Sequence, residues 1–133
     1  MSFFFDMEKE TLANNCFRKV VYTGEHMQLV LMSLEEEQEI PLEIHPKIDQ
    51  LFRVEEGHIE VHIYDSKGND VENVDHVMTG QSVIIPAGTY HKIISKDTTK
   101  LYTIYSPPQH PPGTVECVKK LINKIFPSKK AKK

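Results

Sequence analysis

The centre of the chain reads Gly80-Gln81-Ser82-Val83-Ile84-Ile85-Pro86-Ala87-Gly88-Thr89-Tyr90-His91. Proline fixes the backbone angle φ and cannot donate to a β-ladder, so a strand over residues 82–85 must end beside Pro86. Gly88 permits a tight turn, and residues 90–95 read as a returning strand. The segment predicts a strand, a rigid corner and a histidine, His91, that is held on stiff support as a functional site requires.

A second segment upstream supplies side chains that could join His91. Glu43 and His45 are separated by one residue, so on a strand they project from the same face. Gln50 begins a run of alternating character that predicts a further strand. The four side chains comprise two imidazoles, a carboxylate and a carboxamide, a set of ligands suited to a divalent first-row metal ion.

The spacing of these residues resembles the cupin pattern G-x5-H-x-H-x(3,4)-E-x6-G followed by G-x5-P-x-G-x2-H-x3-N. The second motif fits residues 80–95, with Ser95 in place of the family's Asn. The first motif fits residues 43–57 in spacing, with Glu43 in place of the first His and Gln50 in place of the Glu. Its leading glycine is absent. Residues 101–110 also resemble the branch labelled mannose-6-phosphate-isomerase-like.

This resemblance implies an all-β fold, the cupin double-stranded β-helix or jelly-roll barrel. It implies that Glu43, His45, Gln50 and His91 bind a divalent metal ion, with manganese, iron, zinc, nickel and cobalt as candidates. The oxygen content of the set favours harder ions such as manganese or iron. In the alternative interpretation the site has decayed into a polar pocket, where Glu43 and Gln50 are hydrogen-bonded instead.

Two functions follow from a cupin with these ligands. In the first, an open metal polarises a carbonyl or hydroxyl of a small polar substrate, as in a sugar isomerase or epimerase, or activates dioxygen if the ion is iron. The catalytic base is then Glu43, if it is not fully metal-bound, or Tyr102 or Tyr105 from the last core strand. In the second, the barrel is a non-catalytic ligand-binding or assembly module. The lack of an obvious buried acid–base pair favours this second function.

Length and pattern predict one domain. A chain of 133 residues can bury a single core, which we assign to residues 1–116. We expect nine or ten short strands there, and one short C-terminal helix over 118–126, within the lysine-rich tail 117–133. No apolar run reaches membrane-spanning length and no secretory leader is visible, so we expect a cytoplasmic protein.

Charge is unevenly distributed. Residues 1–116 contain nine Lys/Arg and nineteen Asp/Glu, whereas residues 117–133 contain seven lysines and no acid. An acidic body is a poor surface for nucleic acid, so nucleic-acid binding is expected only through the lysine-rich tail, if at all. The simpler interpretation of that tail is a solubilising, frayed terminus.

The ends of the chain carry two further features. Cys16 and Cys117 lack C-x-x-C spacing. A disulfide is possible if the termini meet, but we expect two free thiols in a reducing compartment. The three phenylalanines of residues 3–5 are costly to leave in water, so we expect them to pack on the barrel or across a homodimer contact.

Overall fold

The computed structural model of the chain describes residues 1–117. Within that range the structure contains ten strands and one short helix. In chain order the elements are α1 (Met7–Ala13), β1 (Arg18–Thr23), β2 (Gln28–Leu34), β3 (Glu39–Glu43), β4 (Asp49–Glu56), β5 (His58–Tyr64), β6 (Val71–Met78), β7 (Ser82–Ile85), β8 (His91–Ser95), β9 (Thr99–Ser106) and β10 (Val115–Glu116).

The strands form two antiparallel sheets. A six-stranded sheet has the order β10-β1-β2-β9-β4-β7, and a four-stranded sheet has the order β3-β8-β5-β6. Neighbours in both sheets are often distant in sequence, which is the connectivity of a jelly roll closing around one core. The predicted all-β jelly-roll fold is confirmed.

The core lies between the inner faces of the two sheets. Strand β4 shows why these residues form half-buried strands: Gln50, Phe52 and Val54 are buried, and the residues between them are partly exposed. The same alternation on β9 buries Leu101, Thr103 and Tyr105. Phe52, Val54, Leu101 and Tyr105 belong to the continuous apolar interior, whereas Gln50 and Thr103 are buried polar side chains.

The single described helix is α1, which precedes the barrel. Its N-cap is Asp6, whose side chain accepts a hydrogen bond from the backbone N–H of Lys9 at 3.3 Å. The predicted C-terminal helix over 118–126 lies outside the described residues.

Glu43 and His45 do not share a strand as expected, because β3 ends at Glu43. The strand contains a register shift against β8 between Ile40 and Glu43. Pro41 lies inside this bulge, where a residue without an N–H is tolerated. His45 precedes a proline, which disfavours helical backbone at that position, and it lies in the loop beyond the strand.

The expectation of two free thiols is wrong, because the structure joins Cys16 and Cys117 in a disulfide. Strand β10 returns to pair with β1, with Arg18 opposite Glu116 in the ladder. The same two side chains form an ion pair. This pairing brings Cys16, two residues before β1, next to Cys117, which directly follows β10. Cysteine spacing alone could not predict this proximity.

The N-terminal phenylalanines are only partly buried against the barrel. The Phe3 ring lies 4.9 Å from the Tyr22 ring of β1 and 5.4 Å from the Phe5 ring. Phe4 remains 94% exposed. The segment therefore packs on the barrel through Phe3. Among the described residues, no helix is both long enough and apolar enough to cross a bilayer.

Candidate metal centre

His91 is the most firmly positioned of the predicted site residues. It is the first residue of β8, points inward with Ile93 and Ser95, and is almost completely buried. Its Nδ1 lies 2.9 Å from the carbonyl oxygen of Thr89. A carbonyl can only accept, so Nδ1 carries the proton and Nε2 presents a lone pair to the interior.

His45 reaches the same point from a loop that is braced by the corner before β8. The backbone N–H of Gly88 donates to the carbonyl oxygen of His45 at 2.9 Å. The N–H of Ala87 donates to Asp49 Oδ1 at 2.8 Å, at the start of β4. The corner at Pro86–Gly88 is therefore hydrogen-bonded both to the loop that carries His45 and to the start of β4. This explains why His45 and His91 converge although His45 is not in a strand.

Glu43 completes the cluster. Its Oε2 atom lies 3.5 Å from His45 Nε2 and 3.4 Å from His91 Nε2. One ligand atom from each of the three residues lies within 4.8 Å of the others. The bulge in β3 produces this geometry: after buried Ile40, a regular strand would turn Leu42 inward, but the extra residue turns Glu43 inward, opposite His91.

The donor set fits a cation. The Nε2 atoms of His45 and His91 are buried and have no hydrogen-bond partner. The His91 lone pair faces a carboxylate oxygen, an arrangement of two acceptors that is repulsive unless a proton or a cation lies between them. Protonation of His91 at Nε2 would place a positive charge on that buried ring, whereas one divalent ion satisfies all three residues together.

Glu43 is ionised in this setting. Burial by itself would raise its pKa, but hydrogen bonds and positive charge from His45 and His91, when these rings carry protons toward it, outweigh burial and lower the pKa of Glu43 to about 2. A divalent cation in place of those protons acts in the same direction. Its side chain is 35% exposed, in contrast to the buried histidines. The carboxylate therefore lies at the open side of the cluster, where a small molecule could approach.

Gln50, the fourth predicted ligand, is buried on β4 beside Tyr105, a residue that contacts the cluster. It lies opposite Tyr105 in the β4–β9 ladder, and the Tyr105 ring meets the His45 ring edge-on at 5.8 Å. Its Nε2 donates to Thr103 Oγ1 at 2.9 Å, while its Oε1 is buried without a partner. The carbonyl oxygen is thus the atom of Gln50 that is available to an ion.

The two predicted tyrosine bases lie on opposite faces of β9. Tyr105 points inward, whereas Tyr102 belongs to the alternate, partly exposed set and is not brought to the cluster. Burial raises the pKa of Tyr105 above its ordinary value, and the charge of Glu43 adds to the rise. Tyr105 is therefore protonated at neutral pH and serves as a hydrogen-bond donor rather than a base.

Sequence reasoning missed His110 and the residue that holds it. Gln28 is fully buried on β2, and its Oε1 accepts from the backbone N–H groups of Gln109 and His110 at 3.0 and 2.9 Å. Its Nε2 donates to the His110 carbonyl oxygen at 2.7 Å. His110 Nε2 then lies 3.3 Å from the Tyr105 hydroxyl. The contact that places His110 joins residues 82 positions apart, so no local pattern indicates it.

Two antiparallel sheets that enclose a histidine and glutamate cluster near one end define a jelly-roll protein with a candidate metal site. Comparison with known families identifies the class more closely. The family described as Cupin domain matches residues 30–105. The chain belongs to this cupin family.

Its relatives share both sequence and fold. It is 45% identical to an uncharacterised protein, L612, of Acanthamoeba polyphaga mimivirus, over 84% of this chain and 69% of L612. It is 42% identical to YrkC of Bacillus subtilis, over 85% of this chain and 61% of YrkC.

Solved structures of other proteins show the same fold. The crystal structure of BH2720 from Bacillus halodurans is similar with a TM-score of 0.83 and 41% identity, over 87% of this chain and 89% of that protein. The structure of KdgF from a Halomonas species is similar with a TM-score of 0.64 and 19% identity, over 82% of this chain and 96% of KdgF. The second likeness concerns the fold alone.

Proposed function

We propose that this cupin binds one divalent first-row metal ion through Glu43, His45 and His91, with the carbonyl oxygen of Gln50 as a fourth ligand. A single observation carries the proposal. Two buried imidazole nitrogens without partners lie 3.5 and 3.4 Å from the same carboxylate oxygen. Ligand atoms bound at roughly 2.0–2.2 Å to one ion are separated by similar distances.

The metal-bound protein is proposed to be an enzyme that acts on a small polar substrate. When bound, the ion supplies Lewis-acid polarisation of a carbonyl or hydroxyl oxygen, or dioxygen chemistry if it is iron. The half-exposed Glu43 edge admits the substrate, and the buried protonated phenol of Tyr105 offers a hydrogen bond to it. The buried walls exclude water and strengthen these polar contacts.

The reaction class is either isomerisation or epimerisation of a sugar-like substrate, or oxygenation. The first class rests on the resemblance of residues 101–110 to the mannose-6-phosphate-isomerase-like branch. The polar inner side chains of Gln50, Thr103 and Tyr105 suit a hydroxylated substrate better than an apolar one.

A non-catalytic ligand-binding module is the second candidate, and one observation favours it. Of the three predicted bases, Tyr102 faces away from the cluster and Tyr105 is held in its protonated form. Only Glu43 remains, and it is a proposed metal ligand. In this candidate the metal anchors a bound molecule and no group removes a proton.

One experiment separates the two candidates. Protein purified without chelator is analysed for metal, then assayed on a panel of sugar phosphates and for dioxygen consumption. Stoichiometric metal with turnover that Glu43→Gln abolishes supports the enzyme. Metal without turnover, together with saturable binding of a panel member, supports the binding module. Metal-free protein that takes up no added divalent ion contradicts both.

We also propose a homodimer formed through the N-terminal segment. Phe4 is exposed, and it lies beside Phe3, which packs on Tyr22 at the surface of β1. An apolar side chain in this position favours contact with a second copy. Sedimentation at tens of micromolar should give a dimer for the natural protein and a monomer for Phe4→Ser; a monomer in both cases contradicts the proposal.

A further inference from the structure

The outer face of the four-stranded sheet carries a group of histidine and glutamate side chains. On β5, His58, Glu60 and His62 alternate with buried residues and so project from the outer face together. On β6, His76 lies directly opposite Glu60 in the antiparallel ladder. Residues paired in this way share a face, so three imidazoles and a carboxylate lie on the outer side of the sheet.

Two of these imidazoles already converge on each other. The Nε2 atom of His58 lies 3.1 Å from Nδ1 of His76, and the ring centroids are 5.3 Å apart. One nitrogen must donate its proton to the lone pair of the other. Beside them, Nε2 of His62 lies 3.0 Å from Oε1 of Glu60. None of these four residues takes part in the interior cluster.

The separation of the two nitrogens matches a shared metal ion. Two ligands at 2.0–2.1 Å from one ion lie roughly 2.9 Å apart when they subtend a right angle and about 3.3 Å apart at the tetrahedral angle. The observed 3.1 Å lies between these values. A tautomer change, in which the donor ring releases the shared proton and takes one up at its other nitrogen, would leave both rings neutral with two lone pairs available to one ion.

We propose that His58 and His76 chelate a second divalent cation of the zinc, copper or nickel class on this outer face. Glu60, opposite His76, places a carboxylate beside the pair, and His62 holds that carboxylate through its hydrogen bond. Imidazole nitrogens suit these ions, and a nearby carboxylate favours a cation electrostatically. The paired strands β5 and β6 keep the ligands in register.

Zinc titration of tag-free protein, stripped with chelator, tests the proposal. The natural protein should bind two zinc ions per chain, and His58→Gln/His76→Gln should bind one. Glu43→Gln/His45→Gln, which removes the interior ligands, should retain the outer ion. Glu60→Gln should weaken the outer ion by about 10–100-fold.

His26→Gln provides the matched control, because His26 is an exposed histidine beside a carboxylate, Glu25, at 3.7 Å, on another part of the surface. It should bind two ions with unchanged affinity. Equal zinc binding by the natural protein and His58→Gln/His76→Gln overturns the outer site. A natural protein that binds a single zinc, lost only in His58→Gln/His76→Gln, instead supports the outer site and overturns the interior one.

Discussion

The N–H at Nδ1 of His91 donates to the carbonyl oxygen of Thr89 across 2.9 Å, at the corner that precedes β8. This hydrogen bond sets the tautomer of the ring. Its Nε2 therefore faces Glu43 Oε2 at 3.4 Å as a lone pair and not as a donor. A histidine held in this way is prepared for a metal ion and poorly suited to a simple hydrogen bond with the carboxylate.

Replacing His91 with Gln should weaken metal binding by more than about 100-fold. Removing a residue that only supports a ligand costs about 10–100-fold, and the loss of a ligand itself should cost at least as much. The side chain is buried, and Gln keeps a polar group of similar length at that position. Metal content after dialysis and competition with a chromophoric chelator measure the effect. His26→Gln, on the surface, should behave like the natural protein. Retained affinity in His91→Gln would remove His91 from the site.

Metal removal should lower the thermal stability of the natural protein. An ion present at 100 times its Kd stabilises the folded state by about 2.7 kcal/mol, or roughly 5–10 °C in Tm for a chain of this size. We expect this shift on adding manganese, a hard ion suited to a site with a carboxylate. Calorimetry should show little or no shift for Glu43→Gln, which keeps the shape of the side chain without its charge. The same shift in both proteins would exclude Glu43 as a ligand.

The sequence predicts only in part how the side chains of the site come together. The Pro86–Gly88 corner and the inward position of His91 follow from local chemistry, which is why β7 and β8 were predicted nearly as observed. Glu43 was expected at the site through regular alternation with His45, but it arrives through a bulge whose place depends on the partner strand β8. Local residue patterns do not encode such an irregularity.

Long-range pairings account for what was missed. His110 is placed by Gln28, a residue 82 positions away in the sequence. The disulfide joins cysteines 101 positions apart, through the pairing of β10 with β1. Neither contact has a signature in the spacing of nearby residues, because each depends on how the whole barrel closes.

The edge strand β7 offers a matched test of the core. Ile85 is 1% exposed and packs in the interior, whereas its neighbour Ile84 is 65% exposed. Ile85→Ala should lower the free energy of unfolding by about 2–5 kcal/mol, because it leaves a cavity between the sheets. Ile84→Ala should change it by less than about 0.5 kcal/mol. Urea denaturation measures both, and equal effects would contradict the inward assignment of Ile85.

The disulfide should stabilise the fold by restricting the unfolded chain. It closes a loop between residues 101 positions apart. Removing such a link costs about 2–5 kcal/mol. We expect Cys16→Ser/Cys117→Ser to lose this amount in urea denaturation, and reductant to destabilise the natural protein but not the double variant. Two reactive thiols in protein denatured without reductant would show that the link does not form in solution.

His110 should make stability depend on pH on the acid side of neutrality. Burial, with the positive charge of Arg18, lowers the pKa of His110 in the folded protein below its ordinary 6.5. As pH falls from 6.5 toward the lower folded value, the unfolded chain takes up the proton first, so stability falls through that window. Above 6.5 both states are neutral at this residue, and it contributes no pH dependence.

The charged and titratable groups around His110 are Arg18, Glu43, His45 and Glu116, together with the hydroxyl of Tyr105. The test therefore compares, between variants, how steeply the free energy of unfolding changes with pH. His110→Asn should lose less stability between pH 7 and pH 5 than the natural protein does, as measured by urea denaturation at each pH. His26→Asn controls for the loss of an exposed imidazole and should follow the natural slope. An equally steep fall in His110→Asn would mean that burial does not hold this ring in its neutral form.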